Sequence, residues 1–164
     1  MSVAWGAEVS VDGDTGSIAE VRPREGGGWR LRLAFYRSAA LLPAHAGELY
    51  EAEDEALGFY VDPMPSAVIL EPLQRRVVVH RMEAVDVAAA AAAFRIAVKA
   101  GDVSAEAHPA LEQALTFALR RPLATAFGYE RKNVPCDMSP LNAAAFAFWG
   151  AQQHMEVDPS GWVI

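Results

Sequence analysis

Trp29-Arg30-Leu31-Arg32-Leu33-Ala34-Phe35-Tyr36-Arg37 is the stretch whose reading decides the fold. Trp29, Leu31, Leu33 and Phe35 recur at every second position, with Arg30, Arg32 and Tyr36 between them. A period of two places successive side chains on opposite faces of an extended chain, so the stretch predicts a strand with one buried face. Burying four such side chains stabilises a fold by several kcal/mol, at about 1.5–3 kcal/mol each.

Upstream, Val3, Trp5, Ala7, Val9 and Val11 alternate with Ala4, Gly6, Glu8 and Ser10, which predicts a first half-buried strand. Asp12-Gly13-Asp14-Thr15-Gly16 is turn chemistry, since Gly tolerates positive φ and Asp bonds its own nearby backbone. Ser17 to Arg22 predicts a second strand, and Gly26-Gly27-Gly28 a loop before Trp29. The short turns favour an antiparallel meander. Downstream, Pro43 and Gly47 break the pattern, and Glu48 to Leu57 predicts a short acidic helix. Leu57 to Val61 reads as a strand, and Ala67–Glu71 with Arg75–Met82 as a hairpin around Pro72-Leu73-Gln74. Together these make five or six strands before residue 83.

The second half has helical spacing. Val85 to Ala100 has Asp86 as a candidate N-cap and Gly101 just past its end. Ser104 to Arg121 carries a stripe of Leu111, Ala114, Leu115, Ala118 and Leu119, and Pro122 stops it. Ser139-Pro140 opens a third helix reaching about Met155. Residues 156–164 form an apolar tail ending in Trp162-Val163-Ile164. The expectation is a single α+β domain over 1–164: an N-terminal antiparallel sheet of five or six strands (1–83), then about three helices (84–155) packed on it.

The 164 residues carry a net charge of −7, with thirteen Asp/Glu against eight Arg in residues 1–83 and eight Asp/Glu against six Lys/Arg in 84–164. That balance repels phosphate backbones and anionic lipid, so neither nucleic acid nor membrane is an expected partner. Cys136 is the single cysteine, which excludes an internal disulfide and a multi-cysteine zinc site. Met1 to Gly6 has neither a basic region nor an apolar stretch, so no signal peptide and a cytoplasmic location are expected.

Complete catalytic constellations are not legible. Asp12-Gly13-Asp14-Thr15 has Gly16 where the nucleophile motif of aspartate-based phosphatases needs Thr or Val, and Pro23 where a calcium loop needs Glu. Cys136, beside Asp137 and near Arg131 and Lys132, would be a nucleophile only with a His in reach, and His45, His80, His108 and His154 lack any local signature. Tyr129 and Lys132 are three apart, not the four that a Tyr–Lys dehydrogenase pair needs. His45 and Glu48 share a helical face only if Pro43 and Gly47 allow a helix. No cofactor and no metal site are therefore expected.

Glu48, Glu51, Glu53, Asp54 and Glu55 form the densest cluster of charge. With Trp162 as an apolar anchor, they make the candidate partner-binding surface, steering a basic protein toward it. The expected function is a non-enzymatic protein-interaction module, of accessory, inhibitor, immunity or chaperone type. Two alternatives stand beside it: a small-molecule-binding protein or enzyme with a pocket between sheet and helices, and a structural subunit of an oligomeric assembly.

Overall fold

A computed structural model describes residues 1–120, 131–132 and 134–155 of the chain. Among these residues the architecture is mixed α+β, a six-stranded sheet with five α-helices. The strands are β1 (Val3–Val9), β2 (Thr15–Pro23), β3 (Trp29–Ser38), β4 (Ala56–Val61), β5 (Val79–Arg81) and β6 (Val103–Ala105). The helices are α1 (Leu42–Glu51), α2 (Ala67–Gln74), α3 (Ala84–Ala100), α4 (Pro109–Arg120) and α5 (Ser139–Met155).

The sheet order is β5-β4-β1-β2-β3-β6. β1, β2 and β3 form the expected antiparallel meander. β4 instead runs parallel to β1, β5 parallel to β4, and β6 parallel to β3. Each parallel pairing needs a crossover, and helices supply it. This corrects the expectation of an antiparallel sheet followed by about three helices, and the short acidic helix expected at Glu48–Leu57 lies earlier, at Leu42–Glu51, with Ala56 and Leu57 already in β4.

Helices cover both faces. α1 and α2 pack Leu42, Ala46, Ile69 and Leu73 against Val3, Trp5, Ile18 and Phe59. α3, α4 and α5 pack Phe94, Leu111, Phe146 and Phe148 against Ala4, Val21 and Leu31. β1 lies in the middle and is buried along its whole length. Its polar-looking alternation marks the side facing α5, not solvent.

Local departures have physical causes. Pro43 opens α1 instead of breaking it, since a proline in the first turn forfeits no intrahelical bond. The expected hairpin at 67–82 is α2 followed by the three-residue β5. Val68 and Ile69 suggest a strand by propensity, yet Ile69 and Leu73 lie four apart and both bury against the sheet. Ser104 and Ala105, where a helix is expected to start, belong instead to β6, which pairs with Trp29–Leu31. Asp86 closes a capping box with Glu83 and so is the third residue of α3, not its cap. Gly101 ends α3 in the left-handed conformation, φ 79°, as its position predicts.

Two features position the site. β3 carries a bulge, where its register on β2 shifts between Ile18 and Ala19. Leu31 and Leu33 therefore face the α5 layer, while Phe35 turns over into the α1–α2 core. This corrects the single inward face expected for Trp29, Leu31, Leu33 and Phe35. Tyr36, opposite Ser17, swings to the α5 side. Gly6 lets α5 rest directly on β1, because a Cβ there would run into the Ala143 carbonyl oxygen and the Ala147 nitrogen.

Candidate functional site

β1 ends at Val9, and the chain turns through Ser10–Thr15 into β2. Gly13 has φ 82°, Asp12 accepts from the Asp14 N–H at 3.0 Å, and the Thr15 N–H donates to Ser10 Oγ at 3.1 Å. Asp12 is held below the ordinary carboxyl range, first by the Ser10 hydroxyl and then by the Asp14 N–H. The segment is a turn, as its composition predicts.

Opposite this turn runs the segment 134–138, which leads into α5. Between them lies a cleft of about 650 Å³ whose lining includes Ser10, Asp12, Tyr36, Arg131, Lys132 and Asp137. Asp137 organises one wall. Its carboxylate accepts the Ser139 N–H at 2.9 Å, the Ser139 hydroxyl at 3.0 Å and the Tyr36 hydroxyl at 3.2 Å. The buried Ser139 hydroxyl lies 2.8 Å from the buried Ser17 hydroxyl, tying the start of α5 to β2. Burial, and then the Asp137 charge, push Tyr36 up to about 12, so its hydroxyl remains a proton-bearing donor across the neutral range.

The floor of the cleft is more unusual. Glu8, on the α5 side of β1, is 1% exposed. One carboxylate oxygen accepts from Asn142 Nδ2 of α5 at 2.7 Å and lies 3.3 Å from Arg131 Nε. A second nitrogen of Arg131 donates to the Val9 carbonyl at 2.7 Å. The guanidinium is thus held on β1 at two points, and Arg131 lines the cleft. Burial drives Glu8 up to about 8, against the pull of Arg131 and Asn142 and with a smaller push from Asp62 and Asp137. Near neutral pH the neutral acid prevails at Glu8, and Arg131 then keeps its positive charge uncompensated by its buried neighbour. Lys132 adds a second, exposed cation at the cleft.

Cys136 also lines the cleft, its thiol 3.7 Å from the Met138 sulfur. Burial and then Asp137 raise the thiol above its ordinary range. This is the reverse of the lowering that Arg131 and Lys132 suggest in sequence, and it disfavours a thiolate nucleophile. Among the described residues no group of three or more His, Cys, Asp or Glu is placed to hold a metal ion.

The histidines lie elsewhere. His45 is 3.5 Å from Glu48 on α1. His80 stacks on Tyr60 at 4.5 Å with Nε2 2.9 Å from the Leu57 carbonyl, the satisfied sheet histidine expected. His108 Nδ1 accepts the Ala110 N–H at the opening of α4. On the far side of the sheet, Glu20 accepts Trp5 Nε1 at 3.3 Å together with Arg22 and Arg32. Burial alone would raise Glu20, but the two arginines outweigh it and hold its carboxyl below the ordinary range.

The acidic stretch falls at the end of α1 and in the connection to β4, away from the cleft. Glu53 is bound bidentately by Arg22, Glu55 by the N-terminal amine and Ser2, and Glu48 by His45. Glu51 and Asp54 are exposed without an ion-pair partner among the described residues. Trp162 and the tail 156–164 lie outside the described residues, as do Arg121, Pro122 and Tyr129. No described helix is long and apolar enough to cross a membrane.

No family model matches the chain, and no curated protein matches it. Among solved structures, RuvC of Thermus thermophilus is similar at 13% identity and a TM-score of 0.42, over 94% of this chain and 97% of that one. A TM-score of that size carries no argument about activity. The expected non-enzymatic module docking a basic protein is nonetheless corrected. Physically, three of the five acidic residues proposed for docking already have partners within the chain.

Proposed function

We propose that the protein binds a small molecule through an anionic group, in the cleft at the carboxyl end of β1. The observation that carries this reading is Arg131, a cation fixed by Glu8 and the Val9 carbonyl at the floor of an open cleft. A guanidinium held in advance loses little freedom on binding, and its remaining N–H groups suit the oxygens of a phosphate, sulfate or carboxylate. Lys132 adds charge, and Tyr36 and Asp137 offer a donor and an acceptor for the neutral part of the ligand.

The test is thermal unfolding at pH 7 with inorganic phosphate, sulfate and a nucleoside monophosphate. A ligand at one hundred times its dissociation constant stabilises the native state by about 2.7 kcal/mol. That corresponds to a rise in melting temperature of about 5–10 °C for a chain of this size. Arg131→Met is expected to abolish the rise and Lys132→Met to reduce it. No rise with any of the three anions in the unmodified protein sinks the reading.

A further inference from the structure

Glu8 has no exposed surface from which to touch a ligand, and it does not line the cleft. It nevertheless faces the cleft's central cation from behind. Its carboxylate is set by Asn142, on a helix that cannot shift readily because Gly6 brings α5 onto the β1 backbone. Arg131 reaches this carboxylate with Nε and spans to the Val9 carbonyl with a second nitrogen. One guanidinium thus lies between a buried carboxyl and the open cleft.

We infer that Glu8 is a positioning residue that competes, in its ionised form, with the ligand's anionic group for Arg131, so that binding of the anion is accompanied by proton uptake at Glu8. This rests on the anion-binding reading of the cleft. Two negative charges sharing one cation at low dielectric are costly, and protonating the buried one relieves that cost. The charged groups that face Glu8 fit this assignment. Among the described residues Arg131 is the cation that acts on it, Asn142 of α5 contributes a neutral donor, and Asp62 at the end of β4 and Asp137 before α5 add negative charge that favours the protonated form.

The direction of the pH effect follows. With Glu8 titrating at about 8, it is almost wholly protonated at pH 7 and mostly ionised at pH 9. If the anion binds only beside the neutral acid, affinity falls about tenfold between those two values.

The experiment is isothermal calorimetry with sulfate, whose own charge is constant over this range. The unmodified protein is titrated at pH 7, 8 and 9, with two buffers of different ionisation enthalpy at pH 8. Expected are the tenfold loss of affinity and uptake of about half a proton per sulfate at pH 8. Glu8→Gln keeps the shape and removes the titration, so it should bind sulfate with the same affinity at all three values. Cys136→Ser, which removes the thiol from the cleft wall and leaves Glu8 in place, should keep the slope. Sulfate binding that is independent of pH, or a slope retained in Glu8→Gln, overturns the inference while leaving the cleft reading intact. Absence of sulfate binding at every pH overturns both. Should Glu8→Gln fail to fold, the proton count in the unmodified protein decides alone.

Discussion

Stability should depend on pH in a way that isolates Glu8. Its carboxyl moves from an ordinary 4.5 to about 8 on folding, chiefly through burial. Between those values the native state holds a proton that the unfolded chain has lost, so raising the pH favours unfolding. The stability associated with a neutral Glu8 is fully present below 4.5 and is lost as pH rises through about 8. Each step of one pH within that window costs about 1.4 kcal/mol, so from pH 5.5 to 8.5 the loss is about 3–4 kcal/mol. That is a large part of the 5–15 kcal/mol that typically separates folded from unfolded chains. The assay is urea unfolding of the unmodified protein and Glu8→Gln at pH 5.5, 7 and 8.5. Other groups titrate alike in both, so their contributions cancel in the difference. The difference should shift by about 3–4 kcal/mol in favour of the glutamine variant as pH rises. A difference constant to within about 0.5 kcal/mol would refute the reasoning.

Two further outcomes test other parts of the structure. Gly6→Ala drives a methyl group into the backbone of α5, where no side chain can turn aside, and should cost about 1–3 kcal/mol or more by denaturant unfolding. Gly13→Ala meets nothing within 4 Å and only strains a backbone at φ 82°, costing about 1 kcal/mol; equal costs at both positions would argue against the close approach of α5 to β1. Cys136 should react with iodoacetamide more slowly than a free cysteine at pH 8, because burial and Asp137 disfavour the thiolate, and Asp137→Asn should speed it. Faster labelling than free cysteine would contradict the environment described for the cleft.

The meander was legible because its signal is local. Period-two alternation over Val3–Val9 and Trp29–Leu33 and the turn at 12–14 depend on neighbouring residues alone. Parallel pairing of β4 and β5 was not legible, since nothing within Leu57–Val61 states whether its partner runs with it or against it. α2 was obscured by β-branched Val68 and Ile69 and by Pro72, whose preferences tertiary burial of Ile69 and Leu73 overrides. In the site, Cys136, Asp137, Arg131 and Lys132 stood out as neighbours in sequence. Glu8 was read as part of a polar strand face, because alternation cannot tell a solvated face from one covered by a second helix layer. Its partnership with Arg131 and Asn142 joins residues more than 120 positions apart, beyond the reach of spacing. The one available hint was a lone acid in an otherwise apolar strand.

The bulge in β3 also bears on how this protein tolerates changes in length. Removing Ala34, which has no partner on β2, would restore strict alternation and leave Leu33 opposite Ala19 and Phe35 opposite Ile18. Phe35 would keep the core it shares with Ala39 and Leu42, and Tyr36 its side toward Asp137, whereas one residue added beside Ala34 would rotate both by half a turn. The loop at 24–28, only a few residues upstream and with Gly26 and Gly27 meeting nothing nearby, transmits no such rotation. Changes in length should therefore accumulate in lineages of this gene at the glycine loop, while ten residues later the loss of Ala34 is tolerated and a one-residue insertion is purged.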